Sequence, residues 1–380
     1  MFAAECALLG RFGVEVEQHS VHNDSLSKMP ALEAARRTVW NGDTYRVVQA
    51  HIRRFGPDVI HAHNTFPLVS PALYYAADNA GVPVVQTLHN YRLICPAATL
   101  YRNGHVCEDC VGKMVPYGGV LHHCYRTSIG ASATVGLMLT AHRFLRTYDR
   151  KIERYIALTE FTRKKFEAGG LPANKFVVKP NFLADDPGEG TGSGRYALFA
   201  GRLSEEKGLR TLLDAWSGLS ELPLKIAGDG PLRPYVQARS AGRSHIELLG
   251  HLGREQLWDC LKAARFLVVP SEWYEGGQPM VVLEAIACGT PVLASDIGCL
   301  REVIREGVNG ARFSPGNSVE LVSRVRHLIT NISDYRAFRR ATRQDFRIKY
   351  TAERNFQLLR GIYADAIAAR ASRARTASVS

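Results

Sequence analysis

Long hydrophobic runs are missing from this 380-residue chain. Nothing approaches the ~18 to 20 consecutive apolar residues that a membrane-spanning helix needs. The longest candidate, Ala131 to Leu145, is interrupted by Thr134, Thr140, His142 and Arg143. No basic segment followed by an apolar one opens the sequence, so no secretory signal is read there and a cytoplasmic protein is expected. Acid is also in short supply: 36 Asp and Glu stand against 48 Lys and Arg, a net charge of +12. That balance suits acidic partners such as nucleotide phosphates or anionic lipid headgroups. The cations are spread along the chain, and no zinc-finger pair or RNA-recognition signature accompanies them. Nucleic acid is therefore not expected as a partner. Internal repeats are absent too, apart from a general likeness between the two halves.

What is present is an alternation of short β-branched runs with helical patterns, the mark of parallel α/β architecture. In the first half, Val59 to His63, Val82 to Leu88, Tyr155 to Leu158 and Phe176 to Val178 read as buried strands. Helices are expected between them, at Pro71 to Ala80 and Glu160 to Ala168. Phe2, Cys6 and Leu9 recur at helical spacing, and Val14-Glu15-Val16 alternates as a strand would. The chain thus opens on a helix, with no strand and Gly-rich turn before it. Residues 184–195, rich in Gly, Ser and acid, read as a flexible linker. Strands then resume at Tyr196 to Ala200, Leu224 to Ala227, Ile246 to Leu249, Phe266 to Val269 and Pro291 to Ala294. The division expected is a first domain over 1–183, a second over 196–345, a helix over 346–370 and a disordered tail over 371–380. Ligands of such folds bind beyond the carboxyl ends of the strands, here in a cleft expected between two domains.

Three strand-to-helix junctions carry the chemistry. Gly201-Arg202-Leu203-Ser204-Glu205-Glu206-Lys207-Gly208 follows one strand. Gly201 permits a tight turn there. Arg202 offers a planar fork of donors and Lys207 a compact charge, so both can point at one diphosphate. Gly228-Asp229-Gly230-Pro231 follows the next strand and reads as a place of close backbone approach. The third junction runs from Pro270 through Glu275, Gly276 and Gly277 to Glu284. It places backbone N–H groups and the start of a helix from Met280 where a phosphate would sit. Glu284, one turn into that helix, can accept hydrogen bonds from both hydroxyls of a ribose.

These motifs resemble those of the family 4 (group 1) retaining glycosyltransferases, most specifically from Leu198 to Val292. The resemblance implies the GT-B fold: two Rossmann-like domains facing across a cleft, with the N-terminal one here lacking its first strand. It implies transfer of a sugar from a nucleotide-sugar donor, with retention, to a lipid-linked or polysaccharide acceptor. It assigns Arg202 and Lys207 to the donor diphosphate, with Gly201, Gly230, Gly276 and Gly277 around it, and Glu284 to the ribose. The family's second acid has seven residues between it and the ribose acid, a position held here by Gly276; the nearest acid, Glu275, is taken for that role beside the transferred sugar. His89, at the end of the strand Val82 to Leu88, matches a His that contacts the donor sugar. His61 and His63 read as packing or cleft-lining residues. Fixed cations would do the work of a metal, so no cofactor is required for catalysis. The basic balance, with Arg163, Lys164 and Lys165 adjacent, suits peripheral contact with an anionic membrane. A sugar-nucleotide epimerase and a non-catalytic nucleotide-binding protein are the alternatives.

Eight cysteines occur, and Cys95, Cys107, Cys110 and Cys124 are spaced C-x11-C-x2-C-x13-C within an insertion over about 91–130. In a cytosolic protein such clustering favours metal over disulfides, and four thiolates would suit a closed structural Zn²⁺ site. His122 and His123 are substitute ligands.

Overall fold

In the computed structural model, which describes residues 1–330 and 335–379, the chain divides into two compact units. The first comprises Met1–Leu100, Cys107–Lys179 and Phe356–Ser380; the second comprises Tyr101–Val106 and Pro180–Asn355.

The first unit is built on a parallel sheet of four strands. They are β1 (Ile60–Ala62), β2 (Val84–Leu88), β5 (Arg154–Ala157) and β6 (Phe176–Val178), side by side in that order. A strand flanked by helices on both faces is buried along its whole length, and all five residues of β2 are buried, Gln86 and Thr87 included. The register pairs His61 with Val85 and Ile156 with Val177. The helix Phe2–Arg11 opens the chain as its periodicity predicts. The stretch Val14–Val16, expected as a strand, is irregular. Three alternating residues with no neighbouring strand to pair with do not make a ladder.

The second unit carries a six-stranded parallel sheet. Its strands are β7 (Ala197–Ala200), β8 (Leu224–Ala227), β9 (Ile246–Gly250), β10 (Phe266–Val269), β11 (Val292–Ser295) and β12 (Gly310–Phe313). Their spatial order is β12-β11-β10-β7-β8-β9. Two apolar clusters line the sheet's faces, one around Trp216 and Phe313 and the other around Leu267, Leu283 and Phe346. Strand β12 was not read from the sequence, since Gly310-Ala311-Arg312-Phe313 lacks β-branched residues. A short hairpin, β3 (Tyr101–Arg102) with β4 (His105–Val106), was missed as well.

Two expected boundaries need correction. Residues 184–195 are not a free linker but part of the second unit. The N–H groups of Gly190, Gly192 and Gly194 donate to the carbonyls of Cys288, Lys262 and Ala263 at 2.8–2.9 Å. A Cβ on Gly190 would fall 2.3 Å from the Lys262 backbone, so glycine here serves close packing. The last helix runs from Ala352 to Val379. Most of the expected disordered tail is therefore helical, and Ser380 lies outside the described residues. The reason is local: Ala and Arg are good helix formers. Arg370 also donates to the Asp78 carbonyl at 2.6 Å, and Arg373 pairs with Glu153 at 2.8 Å. From Phe356 onward this helix belongs to the first unit, where Ile362 and Ala366 pack on Val85 and Ile156.

Candidate functional site

In the second unit the loops after β7, β8 and β10, which are adjacent strands, are tied together backbone to backbone. Leu203 N–H donates to the Asp229 carbonyl at 2.9 Å, and Leu232 N–H returns to the Leu203 carbonyl at 2.8 Å. Glu272 N–H donates to the Glu206 carbonyl at 2.9 Å. Glycine makes this contact possible. A Cβ on Gly228 would lie 1.9 Å from the Gly201 carbonyl oxygen, and one on Gly208 1.8 Å from that of Pro270. Gly208 also has φ +68°, in the left-handed region. Two sequence readings change. The close approach at Gly230 is to Leu203: a Cβ on Gly230 would lie 2.5 Å from the Leu203 carbonyl oxygen, so this is a packing contact. Gly201 needs no special backbone, because a Cβ there meets nothing nearer than 3.7 Å.

On this platform Arg202 is exposed. Among the described residues no side chain pairs with its guanidinium. Lys207, in the turn before the helix Leu209–Trp216, sits against the buried carboxylate of Glu275, with Nζ 2.7 and 2.8 Å from the two oxygens. The Ser271 hydroxyl donates to the same carboxylate at 2.7 Å. The Trp273 ring lies 5.4 Å from Nζ. The sequence reading set Glu275 beside a transferred sugar; here it is the anchor of Lys207. A buried carboxylate needs a counter-charge, and Lys207 supplies it. Gly276 and Gly277 continue the loop to the helix Met280–Ala287, and the Gly277 carbonyl accepts from the Cys299 thiol at 3.2 Å.

Glu284 lies in the second turn of that helix and is half-buried. Burial raises its pKa above the ordinary carboxylate value, while the Trp258 indole and the charge of Arg254 oppose the rise. A carboxyl group so placed has hydrogen-bonding capacity to offer a ligand.

The first unit shows a second cluster. Three residues each stand one position past the carboxyl end of a strand: His63 after β1, His89 after β2 and Lys179 after β6. His63 Nδ1 lies 2.9 Å from His89 Nε2. Its Nε2 lies 3.0 Å from Oε2 of Glu5, on the helix Phe2–Arg11. Lys179 donates to Glu5 Oε1 at 2.7 Å, with both side chains almost fully buried. Burial works against the Glu5 charge, but the hydrogen bond from His63 and the Lys179 ammonium hold its carboxyl well below the usual range. Burial lowers the His89 pKa to about 4, aided by the charge of His63. His61, inside β1, contacts Tyr363 Oη at 2.8 Å and Thr87 Oγ1 at 2.7 Å. It is the packing residue the sequence suggests. Sequence reasoning missed Glu5, Lys179 and the role of His63. The position just past a strand, which singled out His89, was also available for His63 and Lys179. Glu5 carried no such signal.

The cysteine loop does not form the expected cage. Among the described residues, one group of three His, Cys, Asp or Glu side chains brings its ligand atoms within 4.8 Å of one another, and it is Glu5, His61 and His63. The ring nitrogens of both histidines already face partners, and Lys179 neutralises Glu5, so that group does not suit a metal. Cys95 and Cys110 are buried, and Cys107 and Cys124 half-buried. Burial pushes the Cys110 thiol up to about 11, eased by the Gly119 backbone and reinforced by Cys95, Cys124 and Cys107. No three of the four sulfurs lie within 4.8 Å of one another, so as placed they are not a closed tetrahedral set. The basic run on the helix Glu160–Ala168 is also quieter than its sequence implies. Arg163 pairs with Glu160 and Glu167, and Lys165 with Glu108. No helix among the described residues is long and apolar enough to cross a membrane.

Known proteins resemble both halves. Residues 9–181 match the family described as glycosyl transferase 4-like domain, and residues 194–331 match that described as glycosyl transferases group 1. An uncharacterized glycosyltransferase of Methanocaldococcus jannaschii is 22% identical over 349 residues, spanning 91% of this chain and 86% of the relative. A phosphatidyl-myo-inositol mannosyltransferase of Mycobacterium leprae is 31% identical over 217 residues, 53% of this chain and 56% of that protein. Among solved structures, Anabaena HepE in complex with UDP superposes with a TM-score of 0.64 at 18% identity, over 95% of this chain and 89% of that one. That likeness establishes the fold as the one glycosyltransferases of GT-B type share. With successive family matches over both halves and that fold beneath them, the chain belongs to the group 1 glycosyltransferases.

Proposed function

We propose that the chain moves a hexose-type sugar from a nucleoside-diphosphate donor to a lipid-linked or polysaccharide acceptor, with retention of anomeric configuration. The observation that carries this reading is an exposed guanidinium, Arg202, that has no side-chain partner among the described residues, on the same loop as an ammonium fixed in place, Lys207. A diphosphate would complete that arrangement with paired hydrogen bonds from Arg202 and charge from Lys207. Glu275 then acts through Lys207, holding its side chain still. Glu284 is assigned to the donor ribose and His89 to the transferred sugar.

In the transfer step the bond from the anomeric carbon to the diphosphate oxygen breaks. The acceptor hydroxyl oxygen bonds to the same carbon on the face the diphosphate leaves, and its proton passes to the departing phosphate. Charge grows on that phosphate as the bond breaks; Lys207, held by Glu275, is preorganised to stabilise it, and Arg202 adds its guanidinium on binding. Two similar proteins support the partners. HepE was solved with UDP, and the M. leprae relative is named for phosphatidyl-myo-inositol. The net charge of +12 favours work at an anionic membrane surface.

A thermal-shift screen of nucleotide sugars selects the donor, since stabilisation rises with ligand concentration over its dissociation constant. Incubation of that donor with lipid and glycan acceptors, followed by NMR of the product, tests the reaction. The expected product is a new glycoside with the donor's anomeric configuration. An inverted product, or an epimerised nucleotide sugar with no glycoside, would overturn the proposal.

A further inference from the structure

In the first unit, the helix Ile129–Phe144 carries no charged side chain before its last turn. One side of it is buried: Val135, Met138 and Leu139 pack with Val39, Phe66 and Tyr125. The opposite side faces solvent. Ile129, Ala133, Leu137 and Phe144 recur at helical spacing and share one exposed face. Ile129 is 59%, Leu137 60% and Phe144 79% exposed. A helix that is apolar all round is ordinarily covered all round. The preceding segment extends the same surface. Its helix Tyr117–Leu121 packs on the longer one at Gly136, where a Cβ would lie 3.2 Å from Val120 Cγ2. Arg143 donates to the Met114 carbonyl at 3.3 Å, which brings Met114 beside the carboxyl end of the longer helix. Met114 and Leu121 are 55% and 69% exposed.

Charge around this face has one sign. Between Asp109 and Asp149 the sequence contains no acid, while Lys113, Arg126, Arg143 and Arg146 fall in that stretch. Lys113, Arg126 and Arg146 are exposed. Arg146 pairs with Asp149, but neither Lys113 nor Arg126 forms a salt bridge among the described residues. The Lys113 ammonium donates to Tyr117 Oη at 3.1 Å, and the Arg126 guanidinium lies 5.5 Å from the Tyr125 ring.

We propose that this face docks on an anionic lipid bilayer. The helix Ile129–Phe144 lies flat in the interface, its exposed apolar side chains enter the headgroup boundary, and Lys113, Arg126 and Arg146 meet lipid phosphates. The proposal rests on the reading of an enzyme that works at an anionic membrane, and it assigns that contact to one face. Charge selects the occupant. An isologous pairing with a second copy would set these cations against one another with no acid to meet them. The basic run that first suggested membrane contact offers less, because Arg163 and Lys165 are already paired with acids.

The experiment is flotation of the full chain with two sets of vesicles, one of phosphatidylcholine and one of equal parts phosphatidylcholine and phosphatidylglycerol. Binding is expected to the second set, weakened by salt, with little to the first. Leu137→Gln with Phe144→Gln should weaken binding roughly tenfold or more. Lys113→Gln and Arg126→Gln should each weaken it about fivefold. Val319→Gln, which alters a side chain equally exposed at 79% but outside this face, should leave it unchanged. An unchanged melting temperature marks each variant as folded. Binding to neither set, binding indifferent to phosphatidylglycerol, or undiminished binding by the Leu137→Gln, Phe144→Gln chain would each overturn the proposal. So would a lipid-free dimer that this double variant converts to monomer, since the face would then belong to a second copy. Titration with UDP keeps the donor reading separate. A chain that binds UDP but no vesicle retains its donor site and loses the docking surface; one that floats but binds no UDP shows the reverse.

Discussion

In the second unit the reactive groups stand on loops joined backbone to backbone, with Leu203 bonded to Asp229 and Glu272 bonded to Glu206. In the first unit they are joined side chain to side chain, from Lys179 through Glu5 and His63 to His89. Both clusters lie past the carboxyl ends of parallel strands, the usual place for ligands in such sheets. The difference lies in what each tolerates. A backbone platform depends on glycine and is indifferent to many side chains. A buried charge chain depends on every member, because the loss of one strands the next.

Breaking the side-chain cluster should have the largest effect. Lys179→Met leaves the Glu5 carboxylate buried without its cation, and the chain should lose roughly 3–5 kcal/mol of stability by denaturant unfolding. A loss under ~1 kcal/mol would show that the Glu5 charge is better solvated than the structure indicates.

Acid should separate the regions next. His89 and His61 have pKa values lowered to about 4 and about 3 by burial, so they stay neutral in the fold. The unfolded chain binds protons at these histidines below about pH 6.5, where the folded chain does not. Stability from this source is therefore complete above that pH and falls as pH drops toward 4, on the order of a few kcal/mol. The low pKa of Glu5 acts in the same direction, its contribution being lost only in stronger acid. A stability profile flat between pH 6.5 and 4 would contradict the buried neutral histidines.

Within the second unit, Gly208→Ala should cost roughly 2 kcal/mol or more and weaken nucleotide binding, because the new Cβ has no room beside Pro270. Gly201→Ala should be the mildest change, within about 0.5 kcal/mol, because its Cβ meets only the Phe199 ring, at an ordinary contact distance of 3.7 Å. If the two substitutions were equally harmful by thermal melting, the account of the loop platform would fail.

Much of this was legible in the sequence, for reasons specific to particular residues. Strands such as Phe266–Val269 are continuous apolar runs, and the helix Met280–Ala287 begins just past a proline, so both could be bounded closely. Arg202 and Lys207 lie five residues apart in one turn, and such local motifs survive in sequence. The Glu5–Lys179 pair joins residues 174 positions apart, which no local pattern reveals. Glycine misled in part. Residues 184–195 looked flexible but are packed, and the close backbone approach read at Gly230 is made by Leu203. The missing side chain is visible in sequence; what comes close to it is not. The C-terminal helix extends further than its polar composition suggested because Arg370 and Arg373 find acids in the first unit.

The most direct measurement is titration calorimetry of UDP into the full chain and into its Arg202→Ala and Lys207→Ala forms. The cationic grip on the diphosphate predicts affinity roughly tenfold to a hundredfold weaker in each variant, the loss of one or two charge-assisted hydrogen bonds. Equal affinity in all three proteins would contradict it.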